Sequence, residues 1–321
     1  MLFSPIQMKL LLTGIELSVF QHLSLPISAE AVAQTIQTHP INTRIFLDSL
    51  AAIDLVQKTQ GLYQNSQIAQ TFLAEDSSTY LGQLFTFMTQ GNAALENLTT
   101  LVKNGPPPPP DTQEVSEDML AQSAVLMANT ERAGDAQRMV QIVSALPEFS
   151  SCQTMLDLGG GPGLIGMAIV DAHPSMTGVI FDLPPVVQVA KTFVKEYAME
   201  DRMTIMGGNF NTDAIGEGYD LVVTCNALQF AQSIDSVVKK IYTALNLGGV
   251  CVSLFGFGHT HEGTKPVRLV LGLLSMALMG QELGIEQGYI ANAMLRAGFT
   301  SVHSSIVDTA WGSMELDIAR K

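Results

Sequence analysis

The residues best placed to do chemistry lie between Thr154 and Gly166, in the stretch TMLDLGGGPGLIG. Asp157 stands inside a short apolar run, Met155 to Leu158. Gly159, Gly160, Gly161 and Gly163 follow, with Pro162 among them, and an apolar helical pattern continues from Leu164 to Val170. An apolar run bounded by glycines predicts a buried parallel strand. Glycines at the turn let the backbone approach a ligand, because no Cβ intrudes. The helix that follows points its first N–H groups at whatever binds there. A second acid, Asp182, ends the next apolar run, Val179 to Phe181. It lies about 20 residues further on, where a carboxylate can accept from ribose hydroxyls. Two acids and four glycines in register make a ligand-free structural turn the weaker reading.

Two cofactors compete for this turn. Gly161, Gly163 and Gly166 satisfy the dinucleotide pattern G-x-G-x-x-G, which alone is a weak signal. Asp157, Gly159, Gly161 and Gly163 satisfy D-x-G-x-G-x-G, the pattern of S-adenosylmethionine (SAM) enzymes. Asp157 favours the second reading. A carboxylate in the strand end can hold water or the ammonium of an amino acid, and it would repel a pyrophosphate. Asp182 is common to both readings and does not discriminate.

Composition bounds the setting in which this turn works. Of the 321 residues 47% are hydrophobic and 14% charged, so the chain is globular and not disordered. A net charge of -14 argues against a nucleic-acid partner, which needs basic patches. Cys152, Cys225 and Cys251 show no metal-ligand spacing, no metal site is expected, and the three cannot all pair. A reduced, cytoplasmic compartment is the simple reading. Gln7, Lys9 and Glu16 interrupt the first apolar stretch and no basic segment precedes it, so no secretory signal is expected. The longest apolar run, Leu269 to Met279, is too short to span a bilayer, and no membrane partner is expected.

The elements that must position the turn can be read in order. An amphipathic helix is expected from Gln7 to His22. Ser28 caps a second helix that runs to about Thr38. Pro40 breaks it, and Asn42 caps a third helix through Ile53. Leu55–Lys58 and Gly61–Gln64 form a small hairpin. Helix, helix, hairpin is a winged-helix pattern. The first hundred residues carry only Lys9, Arg44 and Lys58 as strong bases against seven acids, so dimerisation is expected there and not DNA binding. Further helices are expected over Tyr80–Leu101 and Asp118–Leu146, the latter stopped by Pro147. Between them Gly105 and Pro106–Pro110 make a stiff connector. From Ser150 strands near Met155, Ile180, Ile205, Val222 and Val252 alternate with helices near Ile165, Val189, Val237 and Met294. This predicts an α/β fold with a doubly wound parallel sheet. Ser301–Asp308 and Met314–Ala319 add a terminal antiparallel hairpin.

With these motifs in place the chain resembles the small-molecule O-methyltransferases of the plant-caffeate and bacterial-antibiotic type. The resemblance rests on DLGGGPG at 157–163, FDLP at 181–184, GGNF at 207–210, Leu247-Gly248-Gly249 and Arg296-Ala297-Gly298-Phe299. It implies a Rossmann-like class I methyltransferase sheet over 150–321 and a connector with a pocket-lining helix over 106–149. It also implies a mostly α, winged-helix dimerisation domain over 1–105, hence a homodimer. SAM would be the methyl donor and S-adenosylhomocysteine the product. Gly159 and its neighbours would hold the methionine part, and Asp182, with Leu183 beside it, the ribose. Asn209 and Phe210 would flank the adenine. The family usually has Asp at position 209, and an amide can still pair with the adenine edge. Cys225, counted with the cofactor residues, stands where the family often has Lys or Arg.

The departures fall on the catalytic residues. The family's base is a His in a Leu-His-Asp-Trp stretch, and here that stretch is Leu228-Gln229-Phe230-Ala231. An amide takes no proton at useful pH. Phe255 stands where plant members keep an acid that orients the His, whereas Glu282 keeps the other supporting acid. Methyl transfer is an in-line displacement in which positioning supplies much of the rate. Three readings follow. The chain could methylate oxygen by positioning, or with His259 or His261 as a replacement base. It could methylate carbon, nitrogen or sulfur. It could bind SAM for a non-methylating reaction, or as a binding module only. A small apolar or aromatic acceptor is expected between the two halves, near Phe85, Met88, Met127, Met276 and Met279. Sixteen methionines in the chain suit an adaptable apolar pocket, although each of these side chains also fits ordinary helix core.

Overall fold

The computed structural model describes residues 2–91, 93–106, 116–259, 274, 278, 285–309 and 312–321. The chain divides into two compact units, Met1–Ala93 and Ala94–Lys321. In the first, α1 (Ser4–Glu16) carries Pro5 in its first turn, where a missing N–H is harmless. It stops short of the expected end. Ser18 takes φ +50°, and a separate 3₁₀ turn, Val19–His22, follows. β1 (Ile27–Ser28) leads into α2 (Ala29–Thr35), which Ser28 caps as expected, its Oγ accepting from Ala31 N at 3.2 Å. Pro40 starts α3 (Pro40–Ala51) and does not merely end α2. The cap is His39, whose Nδ1 accepts from Asn42 N at 3.5 Å, and not Asn42 itself. The expected hairpin is β2 (Val56–Thr59) and β3 (Leu62–Asn65), and β1 adds a third strand against β3. α4 (Gln67–Phe72) and α5 (Gly82–Gly91) follow. Phe20, Leu47, Leu50 and Tyr63 are buried together at the centre of this unit.

The helix expected over Tyr80–Leu101 is three pieces: α5, a 3₁₀ turn at Ala93–Asn97 and α6 (Leu98–Asn104). The expected helix Asp118–Leu146 is also divided. α7 (Glu117–Thr130) passes into one wide π-type turn, Glu131–Asp135, before α8 (Ala136–Ser144). Gly134, at φ +148° and ψ -16°, makes the break.

The five expected parallel strands are all present: β4 (Thr154–Leu158), β5 (Thr177–Asp182), β6 (Met203–Gly207), β7 (Tyr219–Cys225) and β8 (Leu245–Phe255). α9 (Leu164–Asp171), α10 (Pro184–Glu196) and α11 (Ile234–Ala244) lie between them in the chain. Two short strands, β9 (Phe257–His259) and β10 (Ile285–Glu286), pair in parallel. α12 (Tyr289–Ala297) precedes the terminal hairpin, β11 (Ser301–Thr309) and β12 (Gly312–Arg320). The seven-stranded order is β11-β12-β8-β7-β4-β5-β6, antiparallel only at β11-β12 and β12-β8. Met155, Ile180, Val223 and Val252 pack on one face of the sheet, and Leu156, Val222, Cys251 and Phe255 on the other. Strands covered on both faces read as continuous apolar runs, which is why they could be located from sequence. β4 is flanked by β5 on one side and β7 on the other, so the chain reverses its winding there. Ligands of open α/β sheets bind at the strand ends beside such a switch. No described helix is long and apolar enough to cross a membrane.

Candidate active site

The glycine turn leaves β4 at this switch point. Gly159 N and Gly160 N both donate to Phe181 O of β5, at 2.8 and 3.2 Å, which ties the turn to the neighbouring strand. Its glycines divide by direction. A Cβ on Gly163 would lie 2.4 Å from Ile180 Cδ1, and Cβ atoms on Gly160 and Gly166 would come within 2.8 Å of Asp157. These three face inward, and Gly163, expected among the cofactor residues, packs α9 against β5. Gly159 and Gly161 are partly exposed and take φ +68° and +55°. Beside Gly159 lie Ala227 and the Phe210 ring, at 2.3 and 3.8 Å from where a Cβ would stand. Beside Gly161 the nearest such atom is Glu131 Oε1, at 4.0 Å. Gly161 is therefore the open part of the cradle.

Three carboxylates already accept from the amides of this turn. Asp182 Oδ2 takes Gly161 N at 2.8 Å, Glu131 Oε2 takes Ile165 N at 3.2 Å, and Asp157 Oδ2 takes Gly166 N at 3.0 Å. Asp182 Oδ1 also accepts from Leu183 N at 2.7 Å. Asp157 is 2% exposed and lies under the turn, where it braces the start of α9. Burial pushes its carboxyl up to about 7, against the bond from Gly166 N, with Asp182 adding a smaller push. Burial, then Asp157 and Asp135, hold Glu131 well above the usual carboxylate range. Burial raises Asp182 less, because Gly161 N and Leu183 N favour its charged form. Cys225, at the end of β7, is held protonated by burial and then by Glu131, Asp135 and Asp157.

This arrangement separates the two cofactor readings. A pyrophosphate needs free amides at the helix start. Here those of Ile165 and Gly166 are taken, and three acids face the turn. Asp182, the acid that burial raises least, is the charge that an anionic ligand would meet beside Gly161. Among the described residues no three His, Cys, Asp or Glu side chains come together as metal ligands.

Asn209 N donates to Asp213 Oδ2 at 2.8 Å, and its side-chain oxygen accepts from Asn211 N at 3.0 Å. Gln229 is exposed on a 3₁₀ turn, Leu228–Phe230. Phe255 is 1% exposed at the end of β8 and stands opposite Glu315 of β12, a buried acid that the sequence reading did not include. Glu315 accepts from Gly288 N at 2.8 Å, just ahead of α12. The backbone of His259 lies in β9, in register with Glu286. Met127 is half-buried on α7; in the first unit Phe85 is half-buried against the core around Phe20 and Tyr63, and Met88 is 40% exposed. His261, Met276, Met279 and Glu282 lie outside the described residues, as does most of the proline run. Sequence reasoning missed Glu131 and Ala227. The signal for Glu131 was Gly134, a glycine inside an otherwise helical pattern.

Comparison with known proteins matches residues 115–300 to the model of an O-methyltransferase domain and residues 2–75 to that of an O-methyltransferase dimerisation domain. The chain is 28% identical to the N,N-dimethyltransferase OxyT of Streptomyces rimosus over 77% of this chain and 74% of that one. It is 26% identical to the L-tyrosine C(3)-methyltransferase of Streptomyces lavendulae, over 51% and 44% of the two chains. Its fold is similar to that of human N-acetylserotonin methyltransferase in complex with SAM, with a TM-score of 0.79 at 21% identity, covering 98% and 94%.

Proposed function

Because the chain belongs to the O-methyltransferase family, whose members take their methyl group from SAM, we propose that it binds this donor on the Gly159–Gly161 turn. From there it passes the methyl group to a small apolar or aromatic metabolite. The observation that carries the reading is the trio of carboxylates on the turn amides, which suits a cationic ligand and not a phosphate. SAM supplies an electrophilic methyl carbon on a positively charged sulfur. Gly159 and Gly161 give the methionine part backbone without side chains. Asp182 keeps lone pairs beyond those used by Gly161 and Leu183, and accepts from the ribose hydroxyls. Leu183, Asn209 and Phe210 border the adenine, with Asn209 offering an amide where the family has a carboxylate. Cys225 contributes a neutral, protonated wall.

Gln229 stands where the family has its base, and its amide cannot remove a proton. The chain's contribution to rate is then alignment of the nucleophile with the methyl carbon, without the roughly 10²–10⁴-fold that a general base adds. The buried phenylalanine at position 255 supports this, since a base at 229 would lack its orienting acid there. The same pair of features favours a second reading, in which the acceptor atom is nitrogen or carbon. An amine attacks as its free base and needs no proton removed in the transition state. His259 is the candidate replacement base and Glu282 the retained acid should the acceptor be a neutral hydroxyl. The dimerisation-type segment 2–75 builds a homodimer in this reading.

Isothermal titration of S-adenosylhomocysteine tests the assignment. Wild type should bind, and Asp182→Ala should bind at least about tenfold more weakly, the effect of one lost charge-assisted hydrogen bond. No heat in wild type, or unchanged affinity in the variant, would refute the site.

A further inference from the structure

We propose that Glu131 recognises the ammonium of the methyl donor's amino-acid end, and that the break between α7 and α8 exists to carry it there. The inference rests on the SAM reading of the glycine turn and adds a residue from outside that turn. It begins with the backbone. α7 and α8 would continue as one helix but for the wide turn Glu131–Asp135, where Gly134 takes φ +148°. Wide helical turns of this kind are rare and recur at functional sites. The turn directs Glu131 inward, leaving it 8% exposed, with Oε2 bonded to Ile165 N at 3.2 Å. The other oxygen, Oε1, fronts the open side of Gly161, 4.0 Å from where a side chain would begin. Among the described residues, and apart from Glu131, no heavy atom outside the immediate chain neighbours comes that near.

Among the described residues no cation acts on Glu131. The groups acting on it are Asp157 on β4 and Asp135 on its own turn, both acidic, together with the bond from α9. Cys225 on β7 faces the same carboxylates as a neutral thiol, and Asp182 on β5 lies across Gly161. Arg132, the adjacent base, is turned away. Its guanidinium bonds Glu196 Oε1 at 3.0 Å and Tyr197 Oη at 3.0 Å and lies over the Phe193 ring. A buried carboxylate without a positive partner is costly. An ammonium brings three donors and one positive charge, and it relieves that cost on the open side of Gly161. A divalent metal needs several ligating side chains, and no such group forms among the described residues. Burial, then Asp157 and Asp135, raise Glu131's hold on its proton. A bound ammonium favours the carboxylate, so binding should expel a proton.

Two ligands separate charge recognition from mere bracing. S-Adenosylhomocysteine carries the ammonium, whereas 5′-methylthioadenosine keeps the adenosine and sulfur but has no amino-acid end. Glu131→Gln retains an oxygen for Ile165 N and removes only the charge. It should weaken S-adenosylhomocysteine by roughly 10- to 100-fold, the worth of a charged hydrogen bond, and leave 5′-methylthioadenosine unchanged. Titration of wild type in two buffers of different ionisation enthalpy gives a second readout without a variant. It should report net proton release with the first ligand and none with the second. Equal weakening of both ligands, or no weakening of either, overturns the proposal, as does the absence of proton release. A wild type that binds neither ligand would instead refute the SAM reading beneath it.

Discussion

Gln229 is exposed on its short turn, while Phe255 is sealed in the sheet at 1% exposure. A histidine put at 229 would therefore have no carboxylate at 255 to set its tautomer. Gln229→His should not raise the methyl-transfer rate. Its pH profile should match those of wild type and Gln229→Ala, whereas a large gain with a new inflection near pH 6.5 would restore the family mechanism. Asp157 yields a prediction about stability. Its carboxyl is lifted to about 7 in the fold from an ordinary 3.8, so the folded chain holds that proton more tightly than the unfolded one. The stabilisation is complete below about pH 4 and is lost as pH rises towards 7, by at most about 4 kcal/mol at 1.36 kcal/mol per pKa unit. Asp157→Asn should flatten the fall of the melting temperature over that window, and an unchanged slope would contradict the burial argument. Asp157 and Asp182 could be picked out from sequence because strand ends and glycines mark them. Glu131 was marked only indirectly, by Gly134, because its approach to Ile165 N depends on a tertiary packing that no local pattern encodes.

Gly134 decides where one helix ends and another begins. Its φ of +148° is strained for any residue with a side chain, although no atom of the described residues lies within 4 Å of where a Cβ would stand. Gly134→Ala should cost about 1–3 kcal/mol through backbone strain alone, and it should weaken S-adenosylhomocysteine because Glu131 moves with the turn. Chemical denaturation and titration on one preparation would check both, and a variant as stable as wild type would contradict the account. The same physics explains which elements were readable. Parallel strands announced themselves as apolar runs. Helix lengths did not, because apolar periodicity continues through Ser18 and Gly134 while the chain turns there on a positive φ. β1 was missed because two residues acquire strand character only by pairing with β3.

Across the whole molecule, large apolar side chains gather in exposed positions on the first unit. Leu2, Phe3 and Ile6 on or beside α1 and Ile41 and Ile45 on α3 are each more than half exposed. Such patches mark association surfaces, and the acidic first unit offers nothing to a phosphate backbone. Light scattering should give twice 34.5 kDa at micromolar concentration, and Phe3→Asp with Ile6→Asp should shift the population towards monomer; a clean wild-type monomer would contradict this. The central claim, that three acids turn a glycine loop into a cradle for a cationic methyl donor, is tested most directly by a crystal structure of the full chain with S-adenosylhomocysteine. The account predicts the ribose hydroxyls on Asp182, the adenine beside Phe210 and Asn209, and the ammonium between Gly161 and Glu131 Oε1. Density for the ligand at another place, or with its amino-acid end turned away from Glu131, would contradict it.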